Sequence, residues 1–152
     1  MSLSDFLSAD RIVLLVEAGT RDTVLDAAAR LLGNASPGAT SMIADSLRLR
    51  ERMSSTAIGH GVAIPHGRSD AFDEMRAAFL RLHPAMDFGA GDDEPVDLVF
   101  AMAVPEHDTQ QHLQLLSELA ERFADPEFRA SLRDAADVDA LRATLLGTVP
   151  AD

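Results

Sequence analysis

Hydrophobic and polar positions fall into blocks along this chain, and the period changes from block to block. The unbroken run at residues 12–16, Ile-Val-Leu-Leu-Val, predicts a buried strand stopped by Gly19. Thr20 then opens a stretch in which Val24, Leu25, Ala28, Leu31 and Leu32 recur at helical spacing, closed by Gly33. Ser36, with Pro37 at a first helical position, predicts a second helix running to about Met53. Residues 54–64 are β-like but interrupted by Gly59 and Gly61, which predicts short strands or a hairpin. Residues 77–82 read as another strand. Residues 96–104, "VDLVFAMAV", form the most hydrophobic strand and stop at Pro105, the pattern of a central strand covered on both faces. Asp108 and Gln111 read as a capping pair for a helix from about Thr109 to Ala124, and two short helices are expected to follow, capped by Asp125-Pro126 and by Asp137. Segments 34–39 and 89–95 are loops. Strands interleaved with helices predict an α/β fold: a single domain over residues 1–152, with a mixed β-sheet flanked by helices on both faces.

Composition narrows the chemistry. The 152 residues suit one compact core, and the absence of cysteine excludes disulfides and thiol catalysis. The start "MSLSDFLSAD" lacks a basic segment followed by an apolar one, and no apolar run approaches the ~20 residues of a membrane span, so a cytoplasmic protein without membrane insertion is expected. A net charge of −12 makes nucleic acid and anionic lipid poor partners and steers Arg- or Lys-rich protein faces toward the chain. All 13 basic residues are Arg, which removes Schiff-base lysines and the phosphate-loop lysine.

Three places stand out as candidate chemistry. His66 lies between Pro65 and Gly67 in "GHGVAIPHGRSD", which predicts an imidazole held on a stiff turn with one face open. A neutral imidazole with one ring nitrogen fixed as donor is a nucleophile near pH 7, as transient phosphorylation requires; a solvated turn histidine is the alternative. His112 shares the apolar stripe of Leu115, Leu116, Leu119 and Phe123, so it faces inward in the first turn of its helix, where free N–H groups favour an anion. A core histidine bonded to a backbone carbonyl fits equally. Arg50 lies seven residues after Ile43 and points along the buried stripe of its helix, while Arg48 and Arg52 turn aside. Its fork geometry suits phosphate, and a snorkelling arginine paired with a carboxylate is the alternative.

Other readings have less support. His107 and His112 are five apart, unlike the i,i+4 pair of a zinc helix, and there is neither cysteine nor an HExxH pattern, so no metal and no cofactor are expected. Ser54-Ser55 lacks the GxSxG elbow of a serine hydrolase. His60, between two glycines, is expected to be exposed.

The segment Arg50-Glu51 … Ser55-Thr56-Ala57-Ile58-Gly59 … Gly61-Val62-Ala63-Ile64-Pro65-His66-Gly67 resembles the signature of bacterial enzyme IIA domains of the fructose/mannitol type, R-E-x-x-x-S-T-x-I-G-x-G-x-A-I-P-H-G. "EPVDLVFAMAVPE" and "HLQLLSELAERFAD" resemble the rest of that domain, with the likeness weakest before about residue 36. The resemblance implies that His66 accepts a phosphoryl group from an HPr-like phosphocarrier, that His112 assists by contacting it, and that Arg50 is an active-site arginine. His60 departs from the Asn of many relatives and leaves the polarity of the pocket rim open. With no membrane unit and no fused partner in sequence, the chain looks like the free-standing nitrogen-regulatory branch, whose phosphorylation state is read by regulatory protein targets. A sugar-specific IIA passing phosphate to a IIB domain is the first alternative, and a non-covalent anion- or metabolite-sensing module the second. An apolar rim from Ile64, Met102 and Val104 is expected to let donor and acceptor rings approach.

Overall fold

The structure, a computed structural model, describes residues 3–34, 36–107 and 109–147. Its axis is β6 (Val96–Val104), with β5 (Arg76–Met86) antiparallel on one side and β3 (Val62–Ala63) and β4 (His66–Arg68) parallel on the other. At one edge β1 (Leu7–Val16) runs parallel to β5, and at the other β2 (Ala57–Gly59) is antiparallel to β3. Alternate residues of β6 go to opposite faces, as the strand period requires. Val99, Ala101 and Ala103 meet α1 (Arg21–Leu32) and α2 (Pro37–Met53), whose Leu25, Leu32, Ile43 and Leu47 fill that core. Leu98, Phe100, Met102 and Val104 meet α3 (Thr109–Phe123), α4 (Pro126–Asp134) and α5 (Val138–Leu146) through Leu115, Phe123, Leu132 and Leu141. The expected mixed sheet with helices on both faces is what forms. Each buried Phe, such as Phe79, Phe88 and Phe100, contributes about 1.5–3 kcal/mol of apolar burial.

The helix ends follow their capping chemistry. Thr20, Ser36, Asp125 and Asp137 are the N-caps, each accepting a bond from a backbone N–H in the first turn. The expected Asp108 cap lies outside the described residues.

Two strand expectations need correction. The run at residues 12–16 is part of a longer strand, and it is an edge strand rather than a buried one: among the described residues β5 is the one strand that pairs with β1, and Val16 is 65% exposed. An apolar run alone does not distinguish a central strand from an edge. His66 lies in a strand, not on a turn. β3 and β4 keep one register against β6, pairing Val62 with Leu98, Ala63 with Val99, His66 with Met102 and Arg68 with Val104. Pro65, which has no N–H to give, falls at the step between the two strands while its carbonyl accepts from Met102 N at 2.9 Å. The tight turn is instead the β2–β3 hairpin, where Gly59, His60 and Gly61 all have positive φ (97°, 58° and 77°).

Gly67 makes the junction that places the site. A Cβ there would strike the Ser46 side chain and the Ser46 backbone carbon, so glycine lets α2 lie directly on β4, where Ser46 Oγ donates to the Arg68 carbonyl at 2.6 Å. Gly67→Ala should therefore cost about 1–3 kcal/mol through overpacking, read from thermal or urea unfolding. Gly38→Ala, in the same helix with nothing within 4 Å, should be neutral or slightly stabilising.

Candidate functional site

Strand alternation sends Gly67 toward α2 and His66 toward α3, and the close α2–β4 contact brings the end of α2 beside both. One helical turn past Ser46, Arg50 reaches the same cleft. From the other side α3 begins just beyond the end of β6, so its first turn faces the C-terminal ends of β4 and β6, where open α/β sheets bind ligands. The result is a cleft of about 530 Å³ that brings together Arg50, His66, Arg68 and His112 over a floor including Val104.

The His66 ring is half-buried and its Nδ1 lies 2.8 Å from the Ile64 carbonyl oxygen. A carbonyl can only accept, so Nδ1 carries the hydrogen and Nε2 presents its lone pair. The His112 ring is buried, and its centroid lies 5.2 Å from that of His66 at an interplanar angle of 50°. His112 thus faces inward with Leu115, Leu119 and Phe123, as the stripe predicted, at the dipole-positive end of α3. Burial of His66 pushes its pKa below the ordinary histidine value of 6.5; the Ile64 bond and Glu51 oppose this, while Arg50 and Arg68 add to it.

Both arginines of the cleft bond to neutral oxygens. Arg50 Nη1 donates to the Ser54 carbonyl at 2.8 Å and to Ser54 Oγ at 3.4 Å, and Arg68 Nη1 donates to the carbonyls of Glu106 at 3.1 Å and Pro105 at 3.4 Å. Among the described residues neither enters an ion pair, whereas Arg48, turned aside as expected, is paired with Asp26. Two unneutralised guanidiniums, two imidazoles and a helix start suit an oxyanion. Among the described residues no group of three or more His, Asp or Glu could hold a metal ion.

Arg68 escaped the sequence reading. It is two residues from His66 and shares its face, a relation hidden once the segment was read as a turn. Ser46 had a legible signal, being one helical turn before Arg50. The apolar rim also differs from expectation: Ile64 and Met102 are buried in the core and Val104 lies in the floor, while the exposed edge is Leu49, Met53 and Leu113. His60 is exposed and does not line the cleft. Its backbone is tied instead to Asp92 and Arg133.

Comparison with known proteins finds relatives over nearly the whole chain. The family described as phosphoenolpyruvate-dependent sugar phosphotransferase system, EIIA 2, matches residues 5–147. A nitrogen regulatory protein of Pseudomonas aeruginosa is 36% identical over 140 residues, covering 91% of each chain. The crystal structure of the nitrogen regulatory protein IIA-Ntr from Neisseria meningitidis superposes with a TM-score of 0.86 at 35% identity, over 94% of this chain and 98% of that one. The fructose-specific EIIABC component of Bacillus subtilis is 30% identical over 142 residues, which are 93% of this chain and 22% of that protein.

The depressed His66 pKa sets a pH dependence. Because the unfolded chain binds the proton more readily, stability should be full above about pH 6.5 and fall as pH drops through the window between the unfolded and the lower folded value. Titration of the His66 ring by NMR should give a midpoint below 6.5, and His66→Gln should reduce the acid sensitivity of unfolding. A midpoint above 6.5 would contradict the burial argument.

Proposed function

Since the chain belongs to the EIIA 2 family of the phosphoenolpyruvate-dependent phosphotransferase system, we propose that it is a phosphohistidine carrier whose His66 takes a phosphoryl group from an HPr-like phosphocarrier and whose phosphorylation state acts as a regulatory signal. The observation that carries this reading is the His66 ring itself: Nδ1 committed to the Ile64 carbonyl, Nε2 free, and His112, Arg50 and Arg68 around one cleft.

In the reaction the Nε2 lone pair of His66 attacks the phosphorus of the donor's phosphohistidine. A new N–P bond forms as the donor's N–P bond breaks, and the electron pair of that bond returns to the donor imidazole. The Nδ1 hydrogen stays on His66. Transfer of this kind is mainly positioning and charge stabilisation. Arg50 and Arg68 neutralise the equatorial oxygens, and His112 contacts the group from the dipole-positive end of α3. Both sides of the exchange are phosphoramidates, so the step is reversible. The exposed Leu49, Met53 and Leu113 supply an edge on which a donor docks and excludes water. Among the described residues no helix is long and apolar enough to cross a membrane, and the cytoplasm is the compartment proposed for the protein.

The nitrogen regulatory relatives favour a regulatory output; the likeness to a fructose-specific component favours transfer to a IIB domain as the second reading. Rapid discharge of the phosphorylated protein by a fructose-type IIB domain would support that second reading, and slow discharge the first.

Incubation with phosphoenolpyruvate, enzyme I and the phosphocarrier should add one acid-labile phosphoryl group, seen by intact mass. His66→Ala should abolish the adduct and keep the fold; full labelling of that variant would refute the assignment. His112→Ala and Arg50→Ala should slow transfer about 100-fold, the usual cost of one lost transition-state donor, with unchanged rates removing those residues from the site.

A further inference from the structure

Glu51 is a charged side chain that the proposed phosphoryl chemistry leaves unused, yet it is only 3% exposed. Burying a carboxylate is costly unless hydrogen bonds compensate. Here both oxygens accept: Thr56 N donates to Oε2 at 2.7 Å and Thr56 Oγ1 to Oε1 at 2.8 Å. These bonds tie the end of α2 to the residue that enters β2. The Thr56 carbonyl in turn accepts from Ile64 N at 3.0 Å, and the Ile64 carbonyl accepts from His66 Nδ1. Pro65 follows, which bars Ile64 from helical backbone angles and leaves its carbonyl few directions to take.

We propose that Glu51 is a positioning residue: through Thr56 and Ile64 it fixes the ring orientation and tautomer of His66, and its negative charge favours the protonated ring that exists while phosphorus sits on Nε2. The second part of this proposal rests on the phosphohistidine reading; the first does not. When Nε2 gains its bond to phosphorus and Nδ1 keeps its hydrogen, the ring carries a positive charge. Arg50 from α2 and Arg68 from β4 oppose that charge, and Glu51 is the acidic group on α2 that favours it. His112 from α3 faces the same ring, and Glu106 stands at the cleft edge beyond β6. Glu51 follows Arg50 in sequence, about 100° further round the helix, so the guanidinium lines the cleft while the carboxylate is buried.

The test is 15N NMR of the histidine side chains in the unphosphorylated full chain. Glu51→Gln should shift His66 from a single Nδ1–H tautomer toward a mixture and lower its titration midpoint, because the charge that favoured the protonated ring is gone. Phosphoryl transfer from the donor should slow about tenfold. Arg50→Ala should move the midpoint the opposite way. Should Glu51→Gln fail to fold, Thr56→Val removes the hydroxyl arm and keeps the charge; it should loosen the tautomer with a smaller change in midpoint. A folded variant of either kind whose His66 tautomer and midpoint match those of the unsubstituted chain overturns the assignment. Failure of the unsubstituted chain to be labelled would sink the phosphohistidine reading and leave the NMR result on ring positioning standing.

Discussion

A hydrogen bond of 2.8 Å between His66 Nδ1 and the Ile64 carbonyl decides which ring nitrogen keeps a free lone pair. Without it the imidazole would exchange tautomers and rotate, and neither nitrogen would be held toward the cleft. The bond exists because residues 62–68 follow β6 in one register, with Pro65 at the step where no donor is needed. The ladder holds the backbone on both sides of that step, and α2 pressed onto Gly67 keeps the strand from shifting. The His66 side chain is thus fixed by backbone geometry.

The second constraint is electrostatic. A chain of net charge −12 carries, at one end of its sheet, a cleft lined by Arg50 and Arg68, which among the described residues bond only backbone and hydroxyl oxygens. Elsewhere Arg48 and Arg133 are matched with Asp26 and Asp97. The contrast makes the cleft a local sink for an anion within a surface that attracts basic protein faces. Burial holds the His66 pKa below the ordinary histidine value, which favours the neutral ring and its lone pair near neutral pH.

Much of this was legible in the sequence, and the failures share a cause. Periodicity gave the inward face of His112, the course of α2 past Arg50 and the central role of β6, because each depends on spacing within one element. The edge position of β1 and the strand at His66 depend on which strands pair, which local pattern does not carry. Pro65 and Gly67 read as turn residues because that is their commonest use; here one lacks a donor at a step in the ladder and the other makes room for Ser46. Reading a turn concealed Arg68, since the two-residue period was not applied across it. Glu51 was visible only as a letter of the family signature, and its burial follows from packing between α2 and the entry to β2.

The central claim is that phosphorus is carried on Nε2 of His66 while Nδ1 keeps its hydrogen. The most direct measurement is 15N and 31P NMR of the histidine-labelled protein after phosphorylation by its donor. The account predicts phosphorus–nitrogen coupling at His66 Nε2 and a retained Nδ1–H resonance. Coupling at Nδ1 of His66, or at a nitrogen of His112, would contradict it.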